Sequence, residues 1–508
     1  MYEIERESTL GRVGPYGIAA LLTTVFLVQF LVALDVSLVN IALPDIAAEL
    51  GFGAADLQWV VAAYLLTFAG FLLLGGRAGD LYGRRAVLVG GLLVFGVASV
   101  AGGLACSPAL LVAARAVQGL GAAFVAPASL ALINTEVPEA LRGRALGLWS
   151  AAGAGGGAVG VVLSGVLTET LGWRSVMFVN VPIVVIALVA VLRGVRRGRS
   201  AQPGARLDRL GAVLVTAGVA ALVQGVTEAG SHGWGSGRAL AGFGAAVVLL
   251  VAFVVTEARV RHPLVPLELF RHRGVLGANL FGLLLSAGQL AAFYFASLTI
   301  QQVWGVSPIV TGLMFLPFCA FVVAGIVAGL RLEARFGVRL AIAVLGTIGA
   351  GGLAVFALIP DHTAFWSGVF LPSLLAGSGI GGSLVLVSKA ATAGIPEHRA
   401  GLASAVLNSS RQLGGTIGLA VLVTVATHSA AGSGAATPAL AAHAGYTTGF
   451  AVAAVLLLAG VVLAVLVLPS KAAAPTELPA PPTQVQRPVE RAESAHDAAE
   501  PAADGTDG

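Results

Sequence analysis

Fourteen apolar runs, each reaching or approaching the roughly 20 residues that carry an α-helix across a roughly 30 Å hydrocarbon core, punctuate this 508-residue chain. They fall at about 18–43, 57–75, 87–105, 109–133, 145–168, 175–192, 210–227, 239–256, 275–298, 308–330, 340–359, 365–387, 400–426 and 447–468. Lipid offers backbone polar groups no partner, so runs of this length can span only as helices, which bond internally. Composition agrees, with 57% apolar and 11% charged residues, against roughly a quarter charged in a soluble domain. A soluble fold is excluded. The expected fold is an all-α polytopic membrane protein with 14 transmembrane helices.

The placement of charge orients it, because cytoplasmic loops collect Lys and Arg. With the N-terminus inside, the inner loops hold twenty of the 29 basic residues: Arg77, Arg84, Arg85, Arg142, Arg144, Arg193, Arg196, Arg197, Arg199, Arg206, Arg209, Arg259, Arg261, Arg271, Arg273, Arg331, Arg335, Arg339, Lys389 and Arg399. The outer loops hold Arg174 and Arg238, whereas Asp45, Glu49, Asp56, Glu169, Glu228 and Asp361 lie outside or at the outer edge. Both termini are therefore expected in the cytoplasm. Cys106 and Cys319 lie in separate apolar segments, which disfavours a disulfide framework or a thiolate metal site. Most of the aromatic residues are Phe, 22 against 6 Tyr and 6 Trp, which suits an apolar interior better than nucleic-acid stacking.

An internal repeat divides the chain. GRAGDLYGRR, Gly76 to Arg85, follows the second run, and LRLEARFGVR, Leu330 to Arg339, follows the tenth; Arg77, Gly83 and Arg85 match Arg331, Gly337 and Arg339 at a constant spacing of 254 residues. This implies a cytoplasmic N-terminal cap at 1–17, a six-helix half at 18–192, a linker with two inserted helices at 193–260, a second six-helix half at 261–468 and a tail at 469–508. From Pro475 that tail is rich in Ala, Pro and acids and reads as disordered.

Three ionisable residues lie well inside the runs: Asp35, Arg115 and Arg411. A charge near the bilayer centre costs at least about 2.5 to 3.5 kcal/mol on insertion scales, so such residues are functional candidates. Asp35 is eight residues from the outer end of its run at Leu43, about 12 Å at helical rise. Arg115 is six residues from the outer end of its run at Ala109, about 9 Å. The two can meet at similar depth. An adjacent guanidinium favours the ionised carboxylate and burial favours the neutral acid, so a change in separation or solvation can move a proton. A static ion pair that fixes packing is the alternative. Gln118, one turn from Arg115, and Asn40 are candidates for supporting hydrogen bonds. Arg411, in NSSRQLGGTIG, has no Asp or Glu within the apolar runs of its half. GSGIGG, Gly377 to Gly382, follows no strand and reads as a helix-packing face. The chain lacks HExxH, CxxC and nucleophile motifs, so no enzyme is expected.

GRAGDLYGRR, the run 1 segment LDVSLVNIALP (Leu34 to Pro44) and the run 4 segment RAVQGLGAA (Arg115 to Ala123) together resemble the signatures of the major facilitator superfamily. Within it they resemble the fourteen-span drug:proton antiporters of the EmrB/QacA type. The resemblance covers about residues 18–468 and implies proton-driven export of amphipathic drugs or antibiotics by alternating access, with no cofactor beyond the proton-motive force. It assigns proton coupling to Asp35 and Arg115, and its signature loop falls on Gly76, Asp80, Gly83, Arg84 and Arg85; there a bridge from Asp80 to Arg can latch the inner ends of the two halves as a gating loop, the alternative being positive-inside anchoring alone. Run 5 departs from the antiporter pattern, since Gly157 and Val161 stand where Pro is usual and Ser164 replaces a Gly; Gly153, Gly156, Gly157, Gly160 and Gly165 keep a small-residue packing face. If spans 9 to 14 repeat spans 1 to 6, spans 1, 4, 9 and 12 line a cavity with Gln29, Asn40, Gln118, Asn134, Asn279, Gln289, Tyr294, Ser388 and Arg411 as candidate contacts. The expected setting is the bacterial plasma membrane, with a small molecule, protons and lipid as partners, no nucleic acid, and a monomeric state. Transport of a polar or anionic metabolite is the alternative within transport, and a non-transporting sensor or scaffold is the alternative outside it.

Overall fold

The structure is a computed structural model that describes residues 15–53, 56–195, 208–260 and 263–469; the side chains of residues 15–17, Asp80, Asn134, Ala140, Glu397 and His398 lie outside the description. The tail beyond residue 469, most of the N-terminal cap, and Arg196, Arg197, Arg199, Arg206 and Arg261 also lie outside the described residues.

Every regular element among the described residues is helical. Fourteen helices are long and apolar enough to cross a membrane: α1 (Ile18–Leu50), α2 (Trp59–Gly79), α3 (Arg84–Gly103), α4 (Pro108–Ile133), α5 (Leu141–Leu171), α6 (Arg174–Gly194), α7 (Arg209–His232), α8 (Gly237–Arg259), α9 (Arg273–Val303), α10 (Pro308–Phe336), α11 (Val338–Phe356), α12 (Phe365–Thr392), α13 (Arg399–Gly432) and α14 (Pro438–Val467). Several outrun the apolar runs that announce them. α1 continues past Leu43 through Pro44 to Leu50 and so takes in Asp45 and Glu49. α10 reaches Phe336 and takes in Glu333, an acid inside a helix of the second half where the sequence led us to expect none. A helix does not stop where lipid stops, because its backbone bonds are internal. Polar residues extend it into the interface until a cap or a glycine ends it.

Those ends are written locally. The side chains of Ser107, Asp208, Ser236 and Thr437 accept backbone N–H bonds at the starts of α4, α7, α8 and α14. Gly83, at φ 87°, turns the chain from α2 into α3, and Gly337, at φ 81°, does the same between α10 and α11. Residues with a Cβ rarely adopt that region, so both turns require glycine. The repeat read from the sequence is thus present in the backbone.

Each set of six packs within itself. α5 and α6 flank α1, and α4 lies against α2 and α3; likewise α13 and α14 flank α9, and α12 lies against α10 and α11. Gly156 and Gly160 bring α5 onto α1 so closely that an added Cβ would sit 2.7 Å from the Phe30 carbonyl oxygen and 2.9 Å from that of Leu34. Gly153 faces Gln29 of the same helix. Gly157 differs from this expectation: a Cβ there would meet only Ser37 Oγ, at 3.7 Å, because it points off the contact line. Between the sets, α2 meets α13 and α5 meets α10. α7 covers the seam where α2 meets α13: Gln58 Nε2 of α2's N-cap donates to Thr227 (3.1 Å), and Thr424 Oγ1 of α13 donates to the Val226 carbonyl (3.2 Å). α8 lies outside α7 and is mostly exposed.

Candidate functional site

Asp35 of α1 and Arg115 of α4 meet in the first set, with Arg115 Nη1 2.7 Å from Asp35 Oδ2 and both residues buried. The two side chains thus meet at similar depth, although α1 continues past Leu43 to Leu50. Arg115 is fixed on three further sides. Its Nε donates to the Val60 carbonyl of α2 (3.0 Å), its Nη1 also donates to Gln118 Oε1 (2.6 Å), and its guanidinium lies 4.4 Å from the centre of the Tyr64 ring. Gln118 Nε2 in turn donates to Asp35 Oδ1 (2.8 Å) and to Ser99 Oγ of α3 (2.9 Å), and Ser99 donates to the Phe95 carbonyl (2.8 Å).

A residue that sequence reasoning passed over completes the shell. Asn180 Nδ2 donates to Asp35 Oδ1 at 2.8 Å, and Asn180 is fully buried. It opens the long segment of α6, Asn180–Gly194, just after the short helix Arg174–Phe178. Asp35 thus accepts three N–H bonds, two on Oδ1 and one on Oδ2, from α4 and α6. An ionised carboxylate is acceptor-only and suits this shell. The five helices α1, α2, α3, α4 and α6 are tied together by a group whose bonding changes when it takes a proton.

The other candidates fall into different places. Asn40 does not join the network: its Nδ2 bonds to the Val36 carbonyl one turn back (2.9 Å), because a helical Asn this close to its own backbone finds that partner first. Asn279 does the same to Val275 (2.8 Å). Tyr294 is buried, Gln29 and Gln289 are half-buried, and Ser388 is exposed with its hydroxyl on the Leu384 carbonyl (3.0 Å). The Asn134 side chain lies outside the described residues. Arg411 is half-buried beside Gly282 of α9, with a buried Nε that has no hydrogen-bond partner. A cavity of about 560 Å³ opens on the flank between α2, α3, α4 and α7, lined by Phe71, Leu74, Val94, Leu120, Phe124 and Arg209. Of the four spans expected to line the central cavity, only α4 borders this one.

At the gating loop, Gly76 and Gly83 lie at the end of α2 and in the turn. Arg84 donates to Thr135 at the end of α4, and Arg85 Nη1 donates to the Val195 carbonyl after α6 (3.1 Å). Both bonds stay within the first set. The Asp80 side chain, on which the expected latch rests, lies outside the described residues.

The two sets touch polar to polar at the end opposite the arginine-rich loops. Pro44 has no N–H to give the carbonyl four residues back, which frees the Asn40 oxygen. Ser297 Oγ of α9 donates to it (3.0 Å), and Gln301 Nε2 donates to the next carbonyl, Ile41 (3.0 Å). On the far side Ile309 N of α10 donates to Glu169 of α5 (3.0 Å), and Gly165 lets the α10 backbone at Pro308 approach within 2.4 Å of where a Cβ would stand. At the arginine-rich end, by contrast, α5 from Arg142 to Ala151 is largely exposed.

Known proteins share both the sequence and the shape. The Major Facilitator Superfamily pattern matches residues 25–419. The chain is 43% identical over 444 residues to the cephamycin export protein CmcT of Amycolatopsis lactamdurans, covering 86% of this chain and 89% of that one. It is 39% identical over 467 residues to the puromycin resistance protein pur8 of Streptomyces alboniger, covering 90% and 92%. Among solved structures, the crystal structure of a D-xylose-proton symporter aligns with a TM-score of 0.63 at 14% identity, covering 90% of this chain and 99% of that one. At that identity the likeness shows the fold alone.

Proposed function

The chain belongs to the major facilitator superfamily, and on that premise we propose that it exports antibiotics and related amphipathic compounds across the plasma membrane in exchange for protons taken up at Asp35. It is a multi-pass transporter of small molecules. Export is supported by its similarity to the cephamycin export and puromycin resistance proteins over most of their lengths. Proton exchange is carried by one observation: a fully buried carboxylate, Asp35, held by Arg115, Gln118 and Asn180. A neutral packing pair would avoid the cost of burying charge, which a coupling acid must bear.

The arginine-rich end faces the cytoplasm by the positive-inside rule, which places both termini there. The polar contacts of Asn40, Ile41 and Glu169 then lie on the outer side, and the exposed stretch of α5 from Arg142 to Ala151 on the inner side. Transport follows when the six-helix halves, residues 18–192 and 261–468, rock about the midplane. Arg411, with its unpaired Nε in the interior of the second half, offers a contact for a carbonyl or anionic group of the substrate. Gln29 and Gln289, half-buried on α1 and α9, are further contacts. One charge moving down the membrane potential supplies about 2.3 kcal/mol per 100 mV.

The test is a panel of antibiotics on an efflux-deficient host carrying this chain, with and without a protonophore. Resistance to at least one compound that collapses with the protonophore, and on Asp35→Asn at unchanged protein level, is the expected result. Resistance indifferent to both would remove the coupling assignment.

A further inference from the structure

The shell around Asp35 contains two amides, and they are not equivalent. Gln118 is locked in one orientation, since its Oε1 accepts from Arg115 and its Nε2 donates to Ser99, whose own hydroxyl is committed to Phe95. Turning it would set an NH2 group against the Arg115 N–H. Asn180 is bound on one side only: Nδ2 donates to Asp35, while Oδ1 is buried and has no partner. An unpaired buried carbonyl is costly, roughly 1–3 kcal/mol, and a native interior that keeps one invites a reason.

We propose that Asn180 reads the protonation state of Asp35 by turning its side-chain amide, donating through Nδ2 to the carboxylate and accepting through Oδ1 from the neutral acid. The inference rests on the reading of Asp35 as the coupling acid and extends it. When a proton arrives on Asp35 Oδ1, that oxygen becomes an O–H donor facing an N–H donor. A half-turn of the Asn180 amide breaks N–H···Oδ1 and forms O–H···Oδ1 of Asn180, so Asp35 keeps its hydrogen-bond count and the carbonyl gains a partner, while the NH2 group takes the place the carbonyl left. Gln118, the other amide of the shell, is not free to do this. The charged and titratable groups facing Asp35 are Arg115 from α4 and Tyr64 from α2, the latter through its ring contact with Arg115. α3 and α6 contribute neutral Ser99 and Asn180, and α5 packs glycines against the neighbouring Leu34. Asn180 is the first residue of the long α6 segment, so the turn passes the protonation state from α1 to α6.

Infrared difference spectra between high and low pH, taken on the full chain in liposomes, test this. A carboxylic C=O band that appears at low pH and vanishes in Asp35→Asn belongs to Asp35. The expected result is that this band moves to higher wavenumber in Asn180→Leu, where the acid loses its acceptor. In the unsubstituted protein grown with ¹³C-labelled asparagine, an amide C=O band should shift in step with the Asp35 band and stay fixed in Asp35→Asn. This second arm needs no change at position 180, so a poorly folding Leu variant does not blunt the test. An Asp35 band unmoved by Asn180→Leu, or a labelled amide silent during the titration, overturns the amide turn and leaves the coupling acid standing. Absence of any Asp35-dependent band overturns both.

Discussion

The first six helices and the last six share a backbone plan but not an interior. At the 254-residue spacing that relates Gly83 to Gly337, Asp35 corresponds to Gln289 and Arg115 to Val369. Where the first set buries an ion pair and its amides, the second buries rings: Phe450 stacks on Phe356 with centroids 5.0 Å apart and meets Phe295 edge-on at 5.7 Å, and Phe295 lies 5.8 Å from Tyr446. The repeated features are those that backbone geometry demands, such as the glycine turns. Buried charge is not among them. A desolvated ion pair is a poor source of stability, whereas packed aromatic rings are a good one. Its presence in one set only, among the described residues, supports the proposal that this set carries the proton chemistry, with the other supplying packing and, at Arg411, a single interior positive group.

This contrast breaks most readily at Asp35. Asp35→Asn should abolish proton-driven efflux from vesicles while Gln289→Leu, at the corresponding place, leaves the dependence on the proton gradient intact. Equal loss of gradient dependence in both would erase the distinction between the sets. Arg115→Leu should also destabilise the protein by about 3–5 kcal/mol, because it leaves Asp35 buried without its counter-charge. Adding Asp35→Asn to that variant should recover a large part of the loss in a detergent unfolding curve. A double variant no more stable than Arg115→Leu would mean that the charge itself was never the burden.

Phe450→Ala probes the second interior. It is fully buried among rings, so its removal should cost about 3–5 kcal/mol in unfolding free energy, with the pH profile of transport by the surviving protein unchanged. A smaller pair of effects lies on α5. Gly160→Ala should cost about 1–3 kcal/mol by pushing α5 off α1, since its Cβ would stand 2.9 Å from both the Leu34 oxygen and Ser37 Cβ. Gly157→Ala, three residues away and open, should gain about 0.5–1 kcal/mol from helix propensity. Melting temperatures of the two variants must move in opposite directions.

Most of the plan was legible before any coordinate. Fourteen runs gave fourteen helices, because in lipid length and apolarity leave one solution. Asp35 and Arg115 stood out because charge in an apolar run is conspicuous and depth along a helix is simple to count. Asn180, Ser99 and Tyr64 did not, being neutral, although they lie about as far into their runs as Arg115 does. The same ruler would have found Asn180, which is six residues into α6 from Arg174, about 9 Å deep and level with Arg115. What no ruler gives is direction. Asn40 also lies on α1, just over one turn past Asp35, yet it bonds to its own helix. The flank cavity beside α7 was equally hidden, since it depends on where an inserted helix docks.

The smallest effect belongs to the exposed ends of the two sets, where the comparison is closest. In the first set Arg84, after the α2–α3 turn, bonds to Thr135 at the end of α4; in the second, Glu333, before the α10–α11 turn, pairs with Lys389 near the end of α12 at 2.7 Å. Thr135 and Lys389 stand at the same 254-residue spacing as the glycine turns. Each loop is thus clamped to the equivalent helix, by a hydrogen bond in one case and an ion pair in the other. Lys389 is 46% exposed and Glu333 23%, so solvent screens the pair and Lys389→Ala should cost no more than about 1 kcal/mol. The cost should shrink further in high salt, whereas that of Thr135→Val, which removes a neutral acceptor, should not. Equal salt dependence at the two positions would show that the clamps share one origin in loop charge, and that the ends of the sets differ less than their interiors.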